Sequence, residues 1–386
     1  MTFVSPSPRG GEVSPPRVSD PQKSRGSYYS VIRTSEVHCT FFMQEQYQNW
    51  LNAIEQTEMP GYKKQAYSGT VLALSMTGAP VILNPQHLAL LIGIDHGMLK
   101  RMYYARDKFY RTYTIKKRSG GERLIEAPYP SLKMVQRWIL DNILTPTAVI
   151  HPSSVGFARG KTIVDNARPH LGADVLLKMD IKDFFPSITE ASVKRYFMAL
   201  GYDVCLSGTL GYLCCKDGRL PQGAPTSPLL SNAIYRGMDM DLDRLAYQED
   251  LRYTRYADDL TFSGSCIPVP MIKSISETVK EYNLRVNREK TRRSGKGSRK
   301  IITGVSISSG IITIPRERKR AIRQKIHYIL TYGLYNHLKH TKSRDLLAGY
   351  RLLGELAYWH SVEPENQYVI EKMDALKQLL NKGRER

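Results

Sequence analysis

The sequence predicts an α+β fold in which a strand-rich centre is bracketed by helices. Helical spacing of apolar residues runs through positions 43–106 and returns beyond 315. Two strand–turn–strand patterns, at 109–128 and 251–262, lie between those regions. A third signal is the run Val175-Leu176-Leu177, which reads as a buried strand leading into Met179-Asp180-Ile181.

Composition narrows the partner before any motif is considered. The chain has 386 residues, 41% hydrophobic, with 24 tyrosines, enough for a substantial core. Its net charge of +20 favours a polyanion, because neutralising phosphates releases counterions. Nucleic acid is the expected partner, ahead of an anionic membrane surface. Five cysteines without Cys-x-x-Cys spacing point away from a disulfide framework or a zinc site and fit a reducing cytoplasm. No basic-then-apolar leader opens the chain. Positions 65–94 lack charge, but Pro80, Asn84, Pro85 and His87 interrupt them, so they read as core and not as a membrane span.

Positions 1–42 form an expected tail of Pro, Ser, Gly and Arg, either disordered or preceding a natural start at Met43. Positions 43–108 form a helical segment, in which Asn84-Pro85 caps a helix to Ile94 and Asp95 caps the next. At 109–128 a hairpin turns through Lys116-Lys117-Arg118-Ser119-Gly120-Gly121, joining flexible backbone to cationic side chains. By itself that is a solvated tip. Leu132, Val135, Ile139 and Ile143 mark an amphipathic helix, and positions 151–172 read as a polar, turn-rich passage holding Asn166 and His170. Helices follow at 189–200, 229–245 and 271–282, with Pro221-Gln222-Gly223 in an irregular stretch between the first two. Positions 284–300 carry eight basic residues against one acidic, and 301–314 hold two short β runs around Ser308-Ser309-Gly310.

Positions 315–386 then give three helices. Ile322, Ile326 and Ile329 stripe the first. Leu346, Tyr350, Leu353 and Ala357 stripe the second, and Val369, Met373, Leu376 and Leu380 the third. Arg320 and Arg323 belong to a dense basic set on the first, suited to a nucleic-acid backbone.

The chemistry concentrates in acids. Arg255-Tyr256-Ala257-Asp258-Asp259-Leu260 places two carboxylates at a predicted hairpin tip, where they repel each other unless a hard divalent cation neutralises them. Asp180, at a strand end, supplies a third. Carboxylates from separate elements are what two-metal phosphoryl transfer requires.

Three stretches carry a resemblance. Tyr256-Ala257-Asp258-Asp259 resembles the signature box of reverse transcriptases, Asp180 to Phe185 their first aspartate motif, and Leu220-Pro221-Gln222-Gly223-Ala224-Pro225 their nucleotide-binding segment. Asn166-Ala167-Arg168-Pro169-His170 is similar to the Asn-Ala-x-x-His element of retron reverse transcriptases. Ile302-Thr303-Gly304 resembles their Val-Thr-Gly triplet with Ile for Val.

The resemblance implies a right-hand polymerase: fingers and palm at 109–314 and a helical thumb at 315–386. It implies Asp180, Asp258 and Asp259 as ligands of two Mg²⁺ (Mn²⁺ able to substitute), Asp259 less directly. Nucleotide contacts would come from Lys117 or its neighbour Lys116, Arg123, Asp183, Phe184, Phe185, Gln222, Gly223 and Lys290. Phe185 would exclude a ribose 2′-hydroxyl, and Lys290 would either protonate pyrophosphate or contact a phosphate. Asn166, His170, Thr303, Gly304, Arg320 and Arg323 would contact RNA.

Such an enzyme copies its own structured noncoding RNA, which serves as template and primer. It makes a branched RNA–DNA hybrid from dNTPs and acts with an effector protein in anti-phage defence. No RNase H domain is expected past the thumb, so template removal would fall to a separate enzyme. A group II intron-like or other defence-associated reverse transcriptase, or a non-catalytic RNA-binding scaffold, are the alternatives.

Overall fold

The computed structural model describes residues 33–116 and 120–382. Positions 1–32 and Lys117 lie outside the described residues. The chain divides into two compact units, Met1–Ser75 and Met76–Arg386. In the first, helices Arg33–Gln56 and Gly61–Ser75 pack on each other. Helix therefore begins at Arg33, ahead of the expected boundary at 43. The unit boundary also falls inside the expected 43–108 segment, so its last two helices belong with the catalytic body.

Those two helices, Pro85–Ile92 and His96–Tyr104, are fixed by their caps. The Asn84 side chain accepts from the His87 amide, and Gly93 ends the helix at φ 80°. Asp95 accepts from the Met98 amide. Leu88, Leu99 and Met102 are buried beneath them.

Strands β1 (Tyr110–Lys116) and β2 (Glu122–Pro128) form the fingers hairpin, paired from Tyr110↔Pro128 to Lys116↔Glu122. The palm is a four-stranded antiparallel sheet of β3 (Val175–Ile181), β4 (Arg252–Tyr256), β5 (Asp259–Gly264) and β6 (Val286–Ser294), in the order β4-β5-β3-β6. Six of the seven residues of β3 are buried, as the apolar run Val175-Leu176-Leu177 suggests. Leu176 joins an apolar cluster with Ile322, Ile326, Leu356 and Trp359 of the thumb. Positions 229–245 are two helices rather than one, Ser227–Ile234 and Arg236–Gln248, separated at Tyr235.

The hairpin expected around Ser308 to Gly310 turns earlier. Strands β7 (Ile301–Ile302) and β8 (Val305–Ser306) are joined by Thr303 at φ 44° and Gly304 at φ 88°. Positive φ at both turn residues suits the right-handed twist of the flanking strands.

Thumb helices span Arg316–Tyr332, Leu334–His340, Ala348–Val362 and Gln367–Lys382. The stripe expected on the third of these is out of register. Gly349, Leu352, Leu356 and Trp359 face inward, while Leu346 lies before the helix and is 86% exposed. Trp359, unused in the sequence reading, is the large side chain that decides the face.

Candidate active site

Antiparallel pairing of β3 with β5 sets Asp180 directly across from Asp259. The β4–β5 hairpin closes through Tyr256↔Asp259, so its two-residue turn is Ala257-Asp258 and Asp259 already belongs to the strand. The Asp258 carbonyl accepts from the Ile181 amide at 2.8 Å, locking the tip to the end of β3. Three carboxylates from two chain segments are thereby brought to the same end of the sheet.

Their electrostatics carry the strain of that convergence. Burial, then the charges of Asp259 and Asp180, push the Asp258 carboxyl up to about 6. Asp259 is also raised, chiefly by burial. Lys290 answers part of the charge. Its Nζ donates to both Asp180 oxygens, at 2.9 and 2.8 Å, and that bond raises its own affinity for the proton. With Asp180 turned to Lys290, no three His, Cys, Asp or Glu side chains among the described residues gather as a metal centre. The mutual repulsion of the acids nevertheless fits a site made for cations.

The turn is held from behind by Arg255, which is wholly buried. Its five N–H donors are all used: Nε and Nη2 on Asp239 (2.7 and 2.6 Å), Nη2 on Ser154, and Nη1 on Asn232 and on the Ala257 carbonyl. Ala257 has φ 58°, a left-handed conformation that costs a residue with a Cβ about 1–2 kcal/mol. The bond from Arg255 to its carbonyl helps hold that geometry. Breaking such a buried pair typically costs about 3–5 kcal/mol. A basic residue beside two acids reads as surface charge in a sequence, so the role of Arg255 had no visible signal there.

A cavity of about 1000 Å³ opens above the acids. Asp180, Asp258, Lys116, Arg123, Asp183, Phe184, Phe185, Gln222 and Lys290 line it, and so do Phe157 and Arg219, which the sequence reading passed over. Asp259 is not among the residues that line it.

Residues 115–307 match the model of the reverse transcriptase (RNA-dependent DNA polymerase) family. Over 270 residues the chain is 37% identical to the Retron Ec86 reverse transcriptase of Escherichia coli, covering 69% of this chain and 83% of that protein. It belongs to the retron reverse transcriptases. The Retron Mx65 reverse transcriptase of Myxococcus xanthus is 35% identical over 317 residues, 76% of this chain and 71% of that one. Among solved structures, the apo telomerase of Candida tropicalis, truncated from its C-terminal domain, aligns with a TM-score of 0.37 at 14% identity. That alignment covers 57% of this chain and 61% of that one, a likeness too loose to carry functional weight. The chain is thus an RNA-directed DNA polymerase with a right-hand fold.

In this reverse transcriptase Phe184 is core, 4% exposed, while Phe185 is half-buried at the cavity wall. Gln222 accepts on its carbonyl from the Glu126 amide, tying its loop to the fingers. Gly223 takes φ 137°, and a Cβ there would lie 2.9 Å from the Glu126 carbonyl oxygen, so only glycine fits. Among the described residues no helix is long and apolar enough to cross a membrane.

Two expected RNA contacts are corrected. His170 is fully buried and Asn166 is 1% exposed, so neither side chain presents itself to a bound RNA. His170 lies between Ser263 Oγ (2.7 Å) on β5 and Thr254 Oγ1 (2.8 Å) on β4. Because Thr254 donates onward to the Asn166 carbonyl, it accepts from Nε2–H, and Nδ1 accepts from Ser263. Burial lowers the imidazole to about 4, so it stays neutral and braces the hairpin that carries Asp258. The passage holding these residues is helical at Ile163–Ala167, opened by a Thr162–Asp165 capping box. That helix packs on β7 and β8, so the Asn-Ala-x-x-His and Ile-Thr-Gly elements meet. Gly304 is exposed, and Arg320 and Arg323 are exposed on the thumb.

Proposed function

We propose that this retron enzyme copies its own structured noncoding RNA into a branched RNA–DNA hybrid by two-metal phosphoryl transfer. The observation that carries the mechanism is the register that sets Asp180 across from Asp259, with Asp180 and Asp258 lining the cavity. Asp180 and Asp258 would hold two Mg²⁺, or Mn²⁺ in their place, with Asp259 in support. Bound there, the ions supply charge neutralisation for the triphosphate and a lowered pKa for the attacking hydroxyl.

The chain's own side chains do the remaining work. Lys116 or Lys117, with Arg123, draws the triphosphate under the fingers hairpin. Gln222 and Gly223 border the incoming base, and Phe185 lies under its sugar, where a 2′-hydroxyl would clash. The primer oxygen forms its bond to the α-phosphorus as the bond to pyrophosphate breaks. Lys290, kept charged by Asp180, is the proton donor at hand for the leaving group.

At initiation the attacking group is an internal RNA 2′-hydroxyl, a reading supported by the similarity to the named retron enzymes. The exposed Arg320 and Arg323 suit the RNA backbone, and the net charge of +20 suits a nucleic-acid-laden complex. Action with an effector protein against phage is part of the same proposal.

Asp258→Asn tests the mechanism. Nucleotide incorporation on a primed RNA template is expected to fall at least ~100-fold, with RNA affinity by filter binding unchanged. Wild-type synthesis by that variant overturns the metal assignment. Sequencing the nucleic acid that copurifies with the wild-type enzyme tests the branched product.

A further inference from the structure

Phe157 occupies a place that the chemistry at the acids does not require to be aromatic. Its backbone is left-handed, φ 65°, and its ring is 43% exposed. An exposed apolar ring on an unfavourable backbone is a combination that proteins keep where it is used.

The loop beneath it cannot relax. Amides of Val155 and Gly156 donate to the Arg255 carbonyl (2.8 and 3.3 Å), the Arg255 amide donates to Ser153, and Asn232 Nδ2 donates to the Gly156 carbonyl. A Cβ on Gly156 would lie 2.5 Å from the Ala257 amide nitrogen, so the loop lies flush against the catalytic turn.

From that base the ring reaches Phe185, with centroids 6.0 Å apart, and Tyr256, 6.4 Å away. Phe185 has a firm wall on its other side. Phe184 lies 5.6 Å from it and is itself held by Tyr235 and the Arg255 guanidinium, each 5.6 Å away. A second cavity of about 270 Å³, bounded by Lys133, Arg137, Gly223 and Pro225, adjoins the first. Phe157 and Phe185 line both cavities.

A ring excludes a 2′-hydroxyl only if it cannot yield to it. The smaller cavity is room beside Phe185, and Phe157 lines it next to that ring. We propose that Phe157 is a positioning residue for sugar selection, holding Phe185 against displacement so that ribonucleotides are refused. This rests on the reading of Phe185 as the ring beneath the nucleotide sugar.

The test is steady-state incorporation of a dNTP and its matching rNTP by the full-length enzyme on a primed RNA template, read as the ratio of their kcat/KM values. Phe185→Ala is expected to cut the ratio ~100-fold. Phe157→Ala and Phe157→Gly are expected to cut it ~10-fold or more, mainly through a lower ribonucleotide KM. Phe157→Tyr keeps the ring and the ratio. Phe157→Gly also relieves the left-handed backbone, so its Tm holds or rises while selectivity falls, an outcome that a purely structural role does not give. The double variant is expected to match Phe185→Ala alone. If Phe185→Ala relaxes the ratio but the Phe157 variants do not, or if the two effects add, the positioning role is overturned and the Phe185 reading stands. If Phe185→Ala leaves the ratio intact, the reading of the gate itself falls, and the positioning role with it.

Discussion

Asp258 binds its proton at about 6, where an ordinary aspartate would at 3.8. The folded enzyme therefore holds that proton more tightly than the unfolded chain does. Without metal, the stabilisation from protonating Asp258 is complete below about 4 and is lost as pH rises through about 6. Divalent cations compete for the ionised form, so their affinity runs the opposite way. Mn²⁺ binding to the nucleotide-free enzyme is expected to strengthen from about pH 5 to about pH 7, while the metal-free Tm declines. Asp258→Asn flattens the Asp258 contribution to both. Titrations at three pH values check this, and flat Mn²⁺ affinity across that window counts against the carboxylate cluster as the cation site. The acids themselves were legible in the sequence because two adjacent aspartates at a turn have no local reason to exist. Lys290 was legible through the family resemblance, but its pairing with Asp180 was not, since that partner lies on another strand.

At the scale of elements, the catalytic hairpin is set by what lies behind it. Arg255, His170 and the 153–157 loop all brace β4 and β5, and all come from sequence that reads as polar loop or surface charge. His170 illustrates the limit most directly. A lone histidine in a turn-rich passage is usually a hydrogen-bonded structural residue, the family resemblance points it toward RNA instead, and only the fold supplies Ser263 and Thr254 as partners. His170→Ala strands both hydroxyls in the interior. It is expected to cost about 1–3 kcal/mol, a few degrees of Tm, while RNA affinity per folded molecule is unchanged. Melting curves beside filter binding separate the two, and weakened RNA binding at unchanged stability would restore the contact role. The capped helices at 85 and 96, by contrast, were readable to within a few residues, because Asn84, Pro85 and Asp95 act on their own neighbours.

Across the whole molecule, the +20 charge has a local address as well as a global sign. Arg320 is exposed on the first thumb helix. Arg323 lies 5.5 Å over Trp359 and 5.1 Å over Tyr368, so its guanidinium is oriented as well as charged. Replacing both with alanine is expected to reduce the slope of log K against log salt by about 1.5, whatever the RNA sequence. Binding isotherms at several salt concentrations measure it, and an unchanged slope removes these residues from the RNA interface. The order of fingers, palm and thumb was legible from periodicity and motif order. The register of the Ala348–Val362 helix was not, because its apolar residues offer two competing faces and packing of Trp359 chooses between them.

The segment ahead of Phe157 also closes the outer rim of the palm sheet. Ser154 bridges Arg255 in parallel, so the backbone of the edge strand β4 is paired at Arg255. Bare strands invite self-association, and this edge is covered at Arg255 by the stretch that leads into Phe157. On the proposed role of Phe157, damage to this stretch would bare part of that edge and loosen the choice of sugar together.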